Sequence, residues 1–152
     1  MNNLPLHPIL VHFPIALGLL APLLIFIIWI GIYKWNWQTT TWSLIPLVYM
    51  ILFACSLGAV KTGEMDEEKV EAYISHEVIE EHEEIGEKIP WIFAGLWCLS
   101  VTPFFIRSRK KMLMTITMVC SVISVAPIIV TGHSGGELVY KYGAARAHIP
   151  AL

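Results

Sequence analysis

Long uncharged apolar runs alternate with short charged interruptions along this chain. The first run contains no Asp, Glu, Lys or Arg before Lys34. Further runs lie between Lys34 and Lys61, between Lys88 and Arg107, and between Lys111 and Glu137. A helix that crosses a bilayer needs about 20 apolar residues. The pattern therefore predicts four transmembrane helices, near residues 9–33, 42–62, 89–106 and 112–132. The third is the shortest, with 18 uncharged residues from Ile89 to Ile106. Between the second and third runs, Asp66 to Lys88 reads as an amphipathic helix. At about 100° per residue, Ile74, Val78, Ile85 and Ile89 share an arc. His82 falls near the middle of that arc, whereas His76 lies among Glu80, Glu83 and Glu87. The predicted fold is all-α: a polytopic membrane protein with four transmembrane helices in a bundle and an outer amphipathic helix between spans two and three. It forms a single integral membrane domain over residues 1–152.

Proline and glycine refine these boundaries. Pro8 suits the first turn of a helix, where its missing N–H has no partner. Pro14 leaves the Leu10 carbonyl without a donor, so the backbone beside His12 is expected to be irregular. Gly86 and Pro90 predict a kink between the outer helix and span three. Thr62-Gly63 and Thr131-Gly132 read as matching C-terminal caps and hint at two related helical hairpins. Gly132, Gly135 and Gly136 then allow tight turns around His133, folding Leu138, Val139 and Tyr140 over the outer mouth. Ala54-x-x-x-Gly58 is a small-residue pair suited to close helix packing.

Composition supports the membrane reading. Apolar residues make up 56% of the chain and charged residues 14%, against about 25% charged in soluble domains. A net charge of −2 gives no reason to expect nucleic acid. Cys55, Cys98 and Cys120 all lie in apolar runs without metal-type spacing, and read as packing residues. The N-terminus lacks the basic segment of a signal peptide, so the first run is expected to stay as a helix. The loop Arg107-Ser108-Arg109-Lys110-Lys111 has four cations and no acid. Positive loops stay in the cytoplasm, which places both termini on the outer side of the membrane. Trp29, Trp35, Trp37 and Trp42 are expected to form an aromatic belt at the cytoplasmic edge. The outer loop carries the acids from Glu64 to Glu87.

In this topology all six histidines fall on the outer side or at the outer membrane edge. Histidine beside hydrocarbon is costly unless it pairs or binds something. The candidate cofactor-binding residues are His7, His12, His82 and His133. The leading expectation is a b-type haem or similar redox centre, held by His12 with His82 or His133, with His7 either supporting a ligand or serving as an additional one. Imidazole is a common axial ligand, and a helical bundle supplies opposed ligands. The role is then electron transfer with a respiratory partner. The alternative is a copper or zinc ion on His12, His82 and His133. Copper(I) sites favour Met or Cys, and Met65 is the only Met of the outer loop. A zinc hydrolase would need a base such as Glu137 or Glu83. A third reading is a cofactor-free structural or assembly subunit, in contact with lipid and with a partner subunit or a second copy. No nucleophile triad, phosphate loop or dinucleotide motif is present, so an electron-transfer or binding subunit is favoured over a stand-alone enzyme. Neither His76 nor His82 has Glu three residues before it, so the acids read as a solvated face rather than a di-iron site.

His-Pro-x-x-Val-His-Phe-Pro-Ile-Ala-Leu from His7, together with Gly-His-x-Gly-Gly-x-Leu-Val-Tyr from Gly132, resembles the DUF2231 family of small four-helix bacterial membrane proteins. The resemblance runs from His7 to Gly143. It maps the family pattern onto His7, Pro8, His12, Phe13, Pro14, His82, His133, Gly135, Gly136, Leu138, Val139 and Tyr140. Members often have a further His before the glycine at Gly143, where this chain has Tyr142. The resemblance implies a link to respiratory-chain accessory proteins, some with Rieske or cytochrome c modules, but no settled activity.

Overall fold

The computed structural model describes residues 5–148, and every regular element among them is helical. In chain order these are α1 (Leu6–Leu10), α2 (His12–Lys34), α3 (Leu44–Val70), α4 (His76–Gly86), α5 (Lys88–Phe105), α6 (Lys110–Ile123) and α7 (Val125–Tyr140). Three short 3₁₀ segments, Thr39–Ser43, Arg107–Arg109 and Ala144–His148, join or end them. Four stretches are long and apolar enough to cross a membrane: Leu6–Lys34, Thr39–Val70, His76–Phe105 and Arg107–Tyr140. They pack as a ring, the first against the second and fourth, and the third against the second and fourth. Short connections make sequential spans antiparallel neighbours.

Prolines set the breaks. Val11, Glu87 and Ser124 each interrupt a span, and in each case proline follows three residues later, at Pro14, Pro90 and Pro127. Each proline removes the donor for the carbonyl four residues before it, at Leu10, Gly86 and Ile123. A new helical segment starts there because a proline in the first turn has no bond to lose. The expected irregularity beside His12 and the expected kink before Pro90 are both present. Pro103 sits inside α5 without a break, and the Thr102 hydroxyl donates to the Leu99 carbonyl that Pro103 leaves unpaired (2.7 Å).

The core joins Ile25, Ile28, Ile45, Leu52, Phe93 and Met114, all at least nine-tenths buried. Leucine, isoleucine and phenylalanine side chains also cover the outer surface, including Leu20, Leu23, Phe26, Leu47 and Ile51. Helices apolar on both faces suit a lipid surround. Trp42 departs from the expected belt. It is fully buried and donates its indole N–H to the Ser100 carbonyl at 2.9 Å. A satisfied indole adds a large apolar surface to the bundle, which outweighs an interfacial position. Trp35 and Trp37 remain exposed. Trp37 folds back over Gly31, where a Cβ would collide with its ring. The turn is made by Asn36, which adopts a positive φ of 56°.

The glycine caps expected at Gly63 and Gly132 are not caps. α3 runs on to Val70 and α7 to Tyr140, so the outer helix starts at His76 rather than Asp66, and Leu138–Tyr140 continue the helix instead of folding over the mouth. The glycine with left-handed backbone is instead Gly143, just past α7, whose φ of +84° is a conformation that other residues rarely adopt. Glycine inside a helix costs about 1 kcal/mol relative to alanine. The packing around Gly63 and Gly135 shows what offsets that cost.

Candidate functional site

The end of the bundle that carries the acids brings His7 and His82 together. Their ring centroids are 6.4 Å apart and their planes stand at 85°. His7 projects from α1 onto α3, and its Nδ1 lies 2.8 Å from the Ala59 carbonyl oxygen. A carbonyl can only accept, so Nδ1 carries the proton and Nε2 keeps its lone pair in the neutral ring. His82 projects from α4 onto α7, and its Nδ1 lies 2.8 Å from Ser134 Oγ. That hydroxyl donates its own proton to the Thr131 carbonyl (3.1 Å). It therefore accepts from His82, which leaves Nε2 of His82 as the basic nitrogen too. Each ring rests on a glycine: a Cβ on Gly63 would lie 3.2 Å from Cε1 of His7, and one on Gly135 would lie 3.1 Å from Cε1 of His82. All four spans contribute: two supply histidines and two supply glycines with the Nδ1 acceptors.

Burial holds the His82 imidazole below its ordinary pKa of 6.5, and the neighbouring His7 lowers it further. Two rings whose Nδ1–H groups are oriented in this way present Nε2 for binding a metal. A hydrogen bond to the other nitrogen fixes the tautomer and raises ligand basicity. The outlook for His82 was legible as a histidine on an apolar arc. Ala59 and Gly63 were missed as supports of His7, and Ser134 and Gly135 as supports of His82, although a Thr-Gly or Ser-Gly pair on both α3 and α7 was the available signal.

His12 and His133 stand elsewhere. His12 is exposed, and its Nδ1 donates to the Pro8 carbonyl one turn back in the same kinked segment. It lies at the edge of an apolar cleft of about 470 Å³ lined by Phe13, Leu17, Leu20, Ile51 and Cys55. His133 is exposed on α7. It precedes Ser134, and consecutive residues point about 100° apart around a helix, so the face that holds His82 excludes it. Helical rise explains the pairing. His7 lies about 7–8 Å beyond His12, and His82 about 9 Å beyond Lys88, at ~1.5 Å per residue. The two therefore stand at similar heights. Among the described residues, no three of these four histidines bring ligand atoms within 4.8 Å of one another.

Three donor atoms do converge at Glu67, Glu71 and His76, on the surface. His76 Nδ1 lies 2.8 Å from Glu71 Oε1, and that bond, with nearby carboxylates, raises the imidazole pKa. Burial and the carboxylates of Glu67 and Glu87 raise the Glu83 carboxyl. His148 packs beside Asp66, its Nε2 3.9 Å from Oδ2. The three cysteines are free thiols.

Fold and site together define a four-helix membrane bundle with an anchored histidine pair at its acidic end. The chain belongs to the DUF2231 family, described as a predicted membrane protein, whose profile matches residues 3–148. No curated protein and no solved structure matches the chain.

Proposed function

We propose that this protein is a membrane-embedded electron-transfer subunit in which His7 and His82 would hold a b-type haem at the acidic end. The observation that carries this reading is the pair of imidazoles held from different hairpins at 6.4 Å. Metal–imidazole bonds are about 2.0–2.1 Å long, so two rings on opposite sides of one metal have centroids roughly 6–6.5 Å apart. Donor number points the same way. Zinc sites use three or four protein ligands, whereas a porphyrin supplies its own four and needs only two axial side chains. His12 and His133 take no ligand role in this reading. When bound, the haem would supply a one-electron couple. The protein's part is to hold two neutral imidazoles in the right tautomer and to bury one side of the centre.

Orientation belongs to the same proposal. Arg107, Arg109, Lys110 and Lys111 face the cytoplasm of a bacterial inner membrane, and the histidine pair faces outward, where a respiratory partner meets it. The test is an absorption spectrum of the protein purified from cells supplied with ample haem, first oxidised and then reduced with dithionite. A Soret band with a sharp reduced α-band supports the reading. Colourless protein with no bound metal by elemental analysis overturns it and leaves a structural or assembly subunit. Colourless protein with stoichiometric copper or zinc replaces haem by an ion.

A further inference from the structure

The opposite end of the bundle has an unbalanced charge. Lys34, Arg107, Arg109, Lys110 and Lys111 gather there, while every acid in the sequence lies between Glu64 and Glu87 or at Glu137. Lys111 is taken up by aromatic rings, with Nζ 5.9 Å from the Trp29 centroid and 5.0 Å from that of Tyr33. Among the described residues, the ion pairs all lie on the acidic side, and none includes Arg107 or Lys110. These two side chains instead line a cleft of about 390 Å³ together with Thr39, Thr40, Pro103 and Phe104. The cleft joins the connection between spans one and two to that between spans three and four. Thr40 already donates to Gln38 at 3.3 Å, and Thr39 offers a second hydroxyl. Lys110 opens α6, a helix of 14 residues whose first turn has no side-chain cap. Its N–H groups and dipole add to the positive field. Phe104, Phe105 and Ile106 are exposed beside the cleft, as residues facing lipid.

We propose that this cleft binds the headgroup of an anionic glycerophospholipid. The phosphate sits against Arg107 and Lys110, and the acyl chains run down past the exposed ring of Phe104. Guanidinium and ammonium donors make strong charge-assisted bonds to phosphate oxygens. The apolar wall selects a lipid over a free anion, and the absence of acids at this end leaves the cations without an internal counter-charge. A basic cleft between membrane helices near the headgroup level is suited to such lipids.

The experiment uses the full chain in zwitterionic detergent and native mass spectrometry, with phosphatidylglycerol and phosphatidylcholine of the same acyl chains, and with inorganic phosphate, as probes. The expected result is one retained phosphatidylglycerol per protein, preferred over phosphatidylcholine by about ten- to thirtyfold, given roughly fivefold for each of two basic contacts. The double variant Arg107→Gln/Lys110→Gln should reduce that preference to near unity. Thr39→Val should weaken it by only a few-fold, and Lys61→Gln/Lys69→Gln, at the acidic end, should leave it intact. Equal retention of both lipids, or a preference that survives in the Arg107/Lys110 variant, would overturn the site. Full displacement by millimolar phosphate would assign the cleft to a free anion and overturn the lipid assignment.

Discussion

His7 and His82 occupy corresponding places in the two helical hairpins, but they are held by different means. Each lies on the N-terminal segment of its hairpin's first span, each precedes a proline-marked break, and each rests on a glycine of the second span. His7 donates to a backbone carbonyl, that of Ala59. His82 donates to a side chain, Ser134. A backbone acceptor is present whatever the residue, so the His7 anchor depends on helix position alone. The His82 anchor depends on one hydroxyl. The comparison shows that similar geometry can rest on supports of unequal vulnerability to substitution.

Removing the ligands gives the largest expected effect. His7→Ala or His82→Ala should abolish bound haem in the purified protein, measured as Soret absorbance per polypeptide. His12→Ala and His133→Ala should retain it. Loss of the band in His12→Ala with retention in His7→Ala would restore the pairing that the sequence alone suggests.

The anchors come next. Ser134→Ala leaves the His82 N–H without its acceptor, and loss of such a support costs about 10–100-fold in metal affinity. Thr62→Val is the matching change beside His7. The Thr62 hydroxyl donates to the same Ala59 carbonyl (2.9 Å), but the carbonyl stays, so haem affinity measured by titration should be unchanged.

The glycines offer a finer contrast, within one helix. Gly135→Ala places a methyl 3.1 Å from the His82 ring, whereas a Cβ on Gly136 meets nothing within 4 Å. Overpacking costs about 1–3 kcal/mol, so Gly135→Ala should lower the thermal midpoint and shift the His82 ring. Gly136→Ala should raise the midpoint through roughly 0.5–1 kcal/mol of helix propensity. Equal responses at the two positions would mean that the ring is free to move aside.

Acidification gives the smallest effect. The folded state holds His82 below its ordinary value of 6.5, so the unfolded chain takes the proton first as pH falls. The stabilisation of the neutral ring is complete above about pH 6.5 and declines as pH drops towards the folded-state value. Melting curves between pH 7.5 and 5 should show this slope in the haem-free protein and lose it in His82→Gln. A slope unchanged in that variant would assign the effect to another group.

Much of the fold was legible because hydrocarbon imposes strict demands. Four uncharged runs of sufficient length, bounded by Lys34, Lys61, Lys88, Arg107 and Lys111, fixed the number of helices. Proline positions placed the breaks near His12 and Glu87. Glycine was misleading, since Gly63 and Gly132 resemble caps and Gly135 a turn in sequence, but all three sit within helices. Their reason is tertiary: imidazoles from other spans pack on Gly63 and Gly135. The site was half legible. His82 on an apolar arc pointed inward, but the expected partner His12 lies one turn or more below the height of His82, and His133 is on another face of α7. The apolar pattern gave no sign that Trp42 belongs in the core, because that depends on the Ser100 carbonyl, which another span supplies.

The most direct test of the central claim is electron paramagnetic resonance of the oxidised, purified protein at low temperature. If His7 and His82, whose ring planes stand near 85°, hold the haem, the expected spectrum is low-spin ferric and strongly anisotropic, and the haem signal is lost in both His7→Ala and His82→Ala. A spectrum without a ferric haem signal, or one that neither substitution alters, would contradict the assignment of His7 and His82 as the axial pair.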